Sequence, residues 1–479
     1  MTLPDEPDAS YRAPTIAEAA RQLRTGAVPS VALTEACLQR IDQVDGALKA
    51  CVTVMADAAL EQARAADLAF GAKRVKGPLH GVPLAIKDLY ATKGVRTTAG
   101  SRVLEDWIPD EDATAVEKLG AAGAIALCKT NTHEFAYGTL TPPTRNPWNI
   151  ARAPGGSSGG TAAAVASGET LAGLGTDTGG SIRIPAGFCG LTGLKPTYGL
   201  VGRGGVIPLS GSFDHTGPIA WTVEDCALLL DAIAGYDPRD PDSVDVPLLD
   251  FAAALGDRLT PEDAVRGARI GVPDRFFYDL IDDAVASALA AARQTYERLG
   301  ATLVDVAMPD GVDDLLAVYR AIQRPEAYTY HADMGWLAER ADKYRPETLA
   351  NIEAGANYSA ADYVRAQQRR RAFTDGVREV LRQVDVLLTP TLAIPAPLAE
   401  EYDTAFVVRG QALEGGSLRL TLPFNLTGQP ALSIPCGFTA DGLPIGAHLV
   451  AAHFNEPSLL RLGHAFQRVT DWHTRRPAL

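Results

Sequence analysis

The feature that most constrains the fold of this chain is a glycine-dense stretch between residues 138 and 217. It contains two clusters, GGSSGG at residues 155–160 and GTDTGGS at residues 175–181. Glycine at this density indicates unusual backbone angles, or main chain that closely approaches something bound. A tight turn would explain one such cluster. Two clusters in close succession, each with embedded serines, favour a functional site.

Helical and strand patterns alternate along the chain. The Ala-rich segment 161–167 ends at Gly168, which predicts a short helix with a glycine C-cap. Apolar residues at helical spacing predict helices within residues 15–70, 113–122, 284–299, 312–384 and 459–469. Short apolar runs predict buried strands at residues 81–86, 124–128, 268–272, 302–306, 384–389 and 431–434. This alternation predicts an α/β architecture in one domain.

Composition excludes several classes of protein. The chain has 46% hydrophobic and 21% charged residues, which is typical of a globular protein. Its formal net charge of −14, without a basic run, argues against a nucleic-acid partner. No apolar run approaches the roughly 18 residues of a membrane helix. The polar, acidic segment 1–14 does not resemble a signal peptide, so the chain is predicted to be cytoplasmic.

The cysteines and histidines show no metal-binding pattern. The six cysteines are scattered without a CxxC pair, and the eight histidines include no HExxH or HxH sequence. Cysteines of this kind, in a chain of this length, are typical of reduced and mostly buried thiols. The sequence therefore predicts no metal site.

Nucleotide-binding motifs fit the glycine clusters poorly. A P-loop needs a lysine after its last glycine, but Thr161 follows Gly160. A dinucleotide fingerprint would need its third glycine one residue earlier than Gly179, and it would follow a strand rather than a helix-like segment. Neither cluster is therefore predicted to bind a nucleotide.

A better alternative is the nucleophile elbow of α/β-hydrolases. Residues 156–160 fit its G-x-S-x-G pattern, with Ser158 as the nucleophile. That elbow follows a strand, whereas residues 146–149 and 152–154 are typical of turns and loops. An esterase that uses Ser158 is therefore kept as an alternative hypothesis.

The two clusters and several other segments resemble the amidase signature family. The resemblance covers nearly the whole chain, and the block at 155–197 is its most specific part. The matching segments are GVPLAIKD (81–88), GGSSGGT (155–161), GTDTGGSIRIP (175–185), CGLTGLKPT (189–197), SGSFDHTGP (210–218) and LPFNLTG (422–428).

The family resemblance implies one large α/β domain over residues 1–479, with a central mixed, twisted β-sheet covered by helices on both faces. Its expected parts are N-terminal helices at about 1–75, a signature core at about 76–220, and a helical pocket region that returns to the sheet at about 221–479.

The resemblance also implies a catalytic triad of Ser181, Ser157 and Lys87. Ser181 would be the nucleophile, held by Ser157, which follows a cis peptide bond and is held in turn by Lys87. A serine hydroxyl is a weak nucleophile until a nearby base takes its proton. Lysine can be that base only when neutral, so burial must lower the pKa of Lys87 from its usual value of about 10.4.

The loop that carries Ser181 is expected to form an oxyanion hole. Backbone N–H groups of Thr178, Gly179, Gly180 and Ser181 would converge on the negative oxygen of a tetrahedral intermediate. The residues expected to support this site are Ser158, Asp177 and Arg183, and a plain structural ion pair is an equal alternative for the last two. The implied reaction forms an acyl-enzyme on Ser181, releases ammonia or an amine, and requires no cofactor.

The resemblance places the substrate pocket in residues 133–140 and in parts of 312–425. The candidate lining residues are Phe135, Ala136, Tyr137, Gly138 and Phe424. Apolar walls would suit an aryl or alkyl amide, an anilide or a carbamate. The expected partner is such a small molecule, and the expected assembly is a monomer or a homodimer.

One class of relatives is the glutamine-hydrolysing A subunit of the tRNA-dependent amidotransferase. That protein carries an acidic residue for the substrate ammonium just before a Leu-Thr-x-Pro-x-Asn stretch. Here Leu418 and Arg419 precede Leu420 and no carboxylate occupies the place. The resemblance therefore favours a free-standing amidase, with the amidotransferase component as the alternative.

Overall fold

The structure is a computed structural model that describes residues 12–479. Residues 1–11, most of the segment whose composition argues against a signal peptide, lie outside the described residues. The described chain folds as one α/β domain around an 11-stranded sheet, and a separate two-stranded ribbon lies outside that sheet. No helix within residues 12–479 combines the length and apolar character needed to cross a membrane.

The strands follow one another along the chain as β1 (Cys51–Val54), β2 (Pro83–Lys87), β3 (Ile125–Thr130), β4 (Ala172–Asp177), β5 (Thr192–Lys195), β6 (His215–Ala220), β7 (Arg269–Pro273), β8 (Thr302–Val306), β9 (Val386–Pro390), β10 (Val407–Val408), β11 (Gln411–Ala412), β12 (Ala431–Phe438) and β13 (Pro444–Ala451). In the large sheet their order is β1-β3-β2-β4-β6-β5-β12-β13-β9-β7-β8. β2 runs parallel to β3 and β4, and β7 runs parallel to β8 and β9. The other neighbours are antiparallel, so the prediction of a mixed sheet is confirmed.

Helices flank the sheet. They are α1 (Ile16–Thr25), α2 (Ser30–Leu48), α3 (Ala56–Gly71), α4 (Thr114–Ala121), α5 (Gly159–Ala166), α6 (Arg183–Cys189), α7 (Val223–Ile233), α8 (Pro261–Val265), α9 (Asp283–Arg298), α10 (Leu315–Asp333), α11 (Trp336–Glu339), α12 (Pro346–Glu353), α13 (Ala360–Val380), α14 (Pro423–Leu426) and α15 (Glu456–Val469). The buried side of α15 shows how these helices pack, because Leu459, Leu460, Leu462 and Phe466 all face the core.

Five strands of the large sheet were not predicted from the sequence, namely β1, β4, β5, β6 and β13. β4, β5 and β6 contain glycine, which is depleted in strands and hides their pattern. Packing explains why glycine is kept in β4. A Cβ on Gly173 would lie 2.8 Å from the Ala85 Cβ of β2, and one on Gly175 would lie 2.9 Å from the Ser158 hydroxyl.

Parallel pairing brings the carboxyl ends of β2 and β4 to one edge of the sheet. Lys87 is the last residue of β2 and Asp177 is the last residue of β4. Ligands of α/β sheets commonly bind outside the carboxyl ends of parallel strands. The Ser181 loop leaves β4 at this edge and leads into α6, so the fold places the candidate site there.

Candidate active site

Lys87 is completely buried at the end of β2. Its Nζ atom lies 2.7 Å from the Ser157 hydroxyl and 2.7 Å from the Thr176 hydroxyl. Burial lowers the pKa of Lys87 well below its usual value, although the negative charges of Asp177 and Asp214 oppose this shift. The side chain therefore loses its proton more readily than an ordinary lysine, as a base in this position must.

Ser157 is held in a fixed loop between Pro154 and α5. The peptide bond from Gly156 to Ser157 is cis, and the Ser157 side chain is fully buried. Thr141 clamps this loop, because its hydroxyl lies 3.0 Å from the Gly155 carbonyl and 3.2 Å from the Ser157 carbonyl. The same hydroxyl accepts a hydrogen bond from the Gly159 N–H at 3.1 Å. These bonds fix the Ser157 backbone.

Ser181 follows β4 and lines a cavity, with 4% of its surface exposed. Its loop contacts the Ser157 loop, because the Ser158 N–H donates to the Ser181 carbonyl at 3.3 Å. Within residues 12–479, the N–H groups of Gly179, Gly180 and Ser181 donate to no other atom. Gly180 has φ +146°, and a Cβ there would collide with the Thr421 hydroxyl. The loop therefore needs glycine and leaves backbone donors free.

Asp177 and Arg183 form a fully buried ion pair with an N–O distance of 2.9 Å. Asn425 completes this group, since its Nδ2 donates to Asp177 at 2.7 Å and its Oδ1 accepts from Arg183 at 2.6 Å. Burial alone would raise the pKa of Asp177, but the adjacent guanidinium holds it well below the usual range. Asp177 also accepts the Ile182 N–H at 3.1 Å, so this charged group fixes the Ser181 loop.

Ser158 occupies a different environment from Ser181. It is fully buried and does not line the cavity. Its hydroxyl donates to the Thr176 carbonyl and accepts from the Thr176 N–H, both at 3.2 Å. Those two bonds join the start of α5 to β4. An esterase with Ser158 as nucleophile does not fit this arrangement.

The cavity beside Ser181 has a volume of about 390 Å³. Its lining residues are Ala136, Tyr137, Gly138, Thr139, Thr178, Gly179, Ser181, Leu209, Leu316, Tyr319, Arg320, Gln323, Arg324, Asn351, Tyr402, Asp403, Phe406, Gly415, Gly416, Ser417 and Leu418. Three of the predicted pocket residues, Ala136, Tyr137 and Gly138, are among them. Leucine and aromatic side chains supply apolar parts of the wall, but the lining also carries three charged side chains, those of Arg320, Arg324 and Asp403.

Phe135 and Phe424 do not line this cavity, contrary to the prediction. Phe135 is fully buried, and its ring centre lies 4.5 Å from that of His331 and 5.4 Å from that of Trp336. Phe424 is also fully buried, and its ring stacks on Phe277 at 5.6 Å. Both rings pack among other aromatic side chains of the core, and this packing keeps them away from the cavity.

Comparison with known proteins identifies the family. The family model described as Amidase matches residues 32–460. The chain belongs to the amidase signature family. It is 43% identical to the A subunit of glutamyl-tRNA(Gln) amidotransferase from Chloroflexus aggregans, over 97% of this chain and 98% of that protein.

Solved structures of related proteins have the same fold. The peptide amidase of Stenotrophomonas maltophilia has a TM-score of 0.84 and 30% identity, covering 98% of this chain and 99% of that chain. A vestigial protein complex described as revealing the origins of an s-triazine catabolic enzyme gives a TM-score of 0.88 and 34% identity, covering 95% of this chain and 98% of that chain. The family resemblance is thus confirmed, but the preference for a free-standing amidase over an amidotransferase component is not supported.

Sequence reasoning missed two residues of the candidate site, Thr176 and Asp214. Thr176 contacts Lys87, and Thr178 donates to Asp214 at 2.6 Å. Burial raises the pKa of Asp214. Recognition of β4 would have placed Thr176 on the strand that leads to the Ser181 loop, with its side chain on the face opposite to that of Asp177. Asp214 lies in the segment 210–218 that resembles the family, directly before β6, but only tertiary packing shows that it contacts Thr178.

One group of side chains in the described chain has the spacing of metal ligands. It consists of Asp45, Cys51 and Glu169, whose ligand atoms lie within 4.8 Å of one another. None of these residues lines the cavity beside Ser181. The cavity itself offers a single carboxylate, Asp403, and its lining includes no histidine or cysteine from residues 12–479.

Proposed function

We propose that this chain hydrolyses a carboxamide C–N bond through an acyl-enzyme on Ser181. The observation that carries the proposal is the combination of a serine on the cavity wall with free backbone donors in the same loop. The Lys87–Ser157 pair supplies the proton relay, with a hydrogen bond of 2.7 Å between a lysine of lowered pKa and a buried hydroxyl. A nucleophile, a base and an oxyanion site are the parts that acyl transfer requires.

In the first step, the Ser181 hydroxyl oxygen attacks the amide carbon. Its proton passes to Ser157, and the Ser157 proton passes to neutral Lys87. The carbonyl oxygen becomes negative and accepts hydrogen bonds from the free N–H groups of residues 179–181. Removing one such donor typically costs about 100- to 1000-fold in rate.

The acyl-enzyme forms when the C–N bond breaks. Protonated Lys87 returns its proton through Ser157 to the leaving nitrogen, which departs as ammonia or an amine. A water molecule then attacks the Ser181 ester and gives its proton through Ser157 to Lys87. The relay returns that proton to the Ser181 oxygen as the ester bond breaks, and the carboxylic acid is released. Thr176 acts as a positioning residue in this scheme, because its hydroxyl holds the Lys87 amine toward Ser157.

Covalent labelling tests the nucleophile. We expect a fluorophosphonate reagent to form one adduct per chain, on Ser181, because its hydroxyl faces the cavity beside the relay. No lysine or arginine lies between Arg152 and Arg183, so both candidate serines fall in one tryptic peptide, and fragmentation of that peptide locates the adduct. Ser181→Ala should abolish labelling and amide hydrolysis, while Ser158→Ala is the matched control and should still be labelled. An adduct on Ser158 would overturn the assignment.

A second candidate function is glutamine hydrolysis as part of an amidotransferase. The observation that favours it is the 43% identity with the A subunit of an amidotransferase over nearly the full length of both chains. Leu418 lines the cavity, and it is one of the two residues before Leu420 where the amidotransferase subunit is expected to carry a carboxylate for the substrate ammonium. Among the lining residues, Asp403 carries a carboxylate, and it would have to bind that ammonium instead.

Ammonia release from glutamine tests this second function. If the chain is such an amidotransferase component, we expect L-glutamine to be hydrolysed at least tenfold faster than D-glutamine, in kcat/KM. Asp403→Asn should then lower kcat/KM for L-glutamine by about tenfold, because a hydrogen bond to a charged group is lost. Equal rates for the two enantiomers, or no effect of Asp403→Asn, would argue for an amidase without this role.

A further inference from the structure

One wall of the cavity carries two positive charges that no carboxylate of residues 12–479 neutralises. Arg320 and Arg324 lie four residues apart on α10, and both line the cavity. Arg320 has no hydrogen-bond or ion-pair partner in the described chain. Arg324 donates to the neutral Asn351 side chain at 3.2 Å. Like charges at this spacing destabilise a helix, so an anion between them would be stabilising.

Gln323 lies between the two arginines in the sequence of α10 and is neutral. Its side chain is 3% exposed, and its buried Nε2 atom interacts with Tyr137 rather than facing the cavity. The hydroxyl of Tyr137, on the same cavity wall, already donates to the Asn351 carbonyl at 3.1 Å. The charged donors that face the cavity are therefore Arg320 and Arg324.

The charge of the cavity limits which anion fits. Its lining contains two guanidinium groups, from Arg320 and Arg324, and one carboxylate, from Asp403. This positive balance contrasts with the net charge of −14 of the whole chain, so it does not follow from composition. A surplus of one positive charge matches a monoanion better than a dianionic phosphate. Guanidinium groups also match the planar geometry of a carboxylate.

We infer that the substrate of this amidase carries a carboxylate, bound by Arg320 and Arg324. The inference rests on the proposed function and specifies its substrate class: the monoamide of a dicarboxylic acid, or an amide of similar shape with one terminal carboxylate. The cavity volume of about 390 Å³ suits such a small molecule. These two arginines determine specificity and take no part in the bond-breaking steps.

Three amides of matched length test the inference. Glutaramate ends in a carboxylate, valeramide in a methyl group, and 5-aminopentanamide in an ammonium group. We expect the wild-type kcat/KM for glutaramate to exceed that for valeramide by about 10- to 100-fold, and 5-aminopentanamide to be the poorest substrate. The preference should weaken as salt concentration rises, because Arg320 is exposed to solvent.

Charge-removing variants locate the effect. Arg320→Gln and Arg324→Gln should each lower kcat/KM for glutaramate by about tenfold, mainly through KM, and leave valeramide within about twofold. Arg320→Lys should recover part of the loss because it keeps the charge. Arg378→Gln, which changes an exposed arginine in the last turn of α13, is the matched control and should change neither substrate.

Binding separates this inference from the proposed chemistry. Ser181→Ala protein should bind glutaramate but not valeramide in calorimetry, and Arg320→Gln/Arg324→Gln in that background should abolish binding. Binding without turnover by the wild type would leave the substrate class standing and contradict the proposed chemistry. Equal wild-type rates for glutaramate and valeramide, or equal losses for both in the arginine variants, would overturn the carboxylate site and leave the Ser181 chemistry intact.

Discussion

Lys87→Met is expected to lower kcat for every amide substrate by about 10⁴-fold, with KM changed by no more than a few-fold. Methionine fills a similar volume but accepts no proton, so the Ser181 proton has no destination through Ser157. General base catalysis and nucleophile activation together account for an effect of this size. Lys87 lies 2.7 Å from the Ser157 hydroxyl and does not line the cavity, so the variant should still bind substrate.

The pH dependence of the rate is a second readout for Lys87. Burial lowers the pKa of Lys87, and only the neutral amine acts as a base. The wild-type kcat/KM should therefore rise with pH through this lowered pKa and then level off, while the residual activity of Lys87→Met should not follow that curve. A wild-type rate that falls steadily above neutrality, with the protein still folded, would contradict a neutral lysine base.

Stability distinguishes loss of the base from loss of the fold. The folded state disfavours protonated Lys87, so below its usual pKa of 10.5 the unfolded state binds the proton more tightly. The wild-type free energy of unfolding should therefore increase as pH rises toward 10.5, and the Lys87→Met variant should lack that increase.

Lys195→Met is the matched control. Lys195 is equally buried with a lowered pKa, but it donates to backbone carbonyls, so kcat should fall by less than about tenfold.

The sequence predicts the chemistry of this site better than its surroundings. The two glycine clusters with their serines stand out from the sequence itself, whereas the expected roles of Lys87, Ser157 and Ser181 come from the family resemblance. β4 was missed because its two glycines have low strand propensity, yet they are needed for close packing against β2 and the Ser158 side chain. Without that strand, the position of Thr176 beside Lys87 could not be anticipated.

Pocket residues depend on tertiary packing, and the sequence predicts them poorly. Phe135 and Phe424 lie in regions where the family resemblance places the substrate pocket, but their rings pack into the core rather than toward the cavity. Arg320 and Arg324 lie on α10, far along the chain from Ser181, in a segment that shows only a helical pattern. Which face of that helix meets the cavity is decided by how it packs, so the charged wall could be recognised only in the structure.

Removing the Asp177 charge is expected to have the largest effect on stability. Asp177→Ala leaves the Arg183 guanidinium buried without its counterion, and breaking such a pair typically costs about 3–5 kcal/mol. The Ser181 loop also loses the acceptor of the Ile182 N–H, so kcat should fall by about 100-fold in the molecules that remain folded. Denaturant unfolding and kinetics on the same preparation measure both effects.

A double variant and an acid titration identify the ion pair as the cause. In Asp177→Ala/Arg183→Met no uncompensated charge remains, so its loss of stability should be smaller than the sum of the two single losses by about 1–3 kcal/mol. Asp177 has a lowered pKa in the folded state, so its contribution is present above the usual value of 3.8 and is lost as pH falls below it. Asp177→Ala should therefore lose less stability than the wild type between about pH 4 and pH 2. The contrary result is that the stability losses of the two single variants simply add in the double variant, with wild type and Asp177→Ala equally sensitive to acid. That result would mean that Asp177 acts through its hydrogen bonds to the loop rather than through its charge.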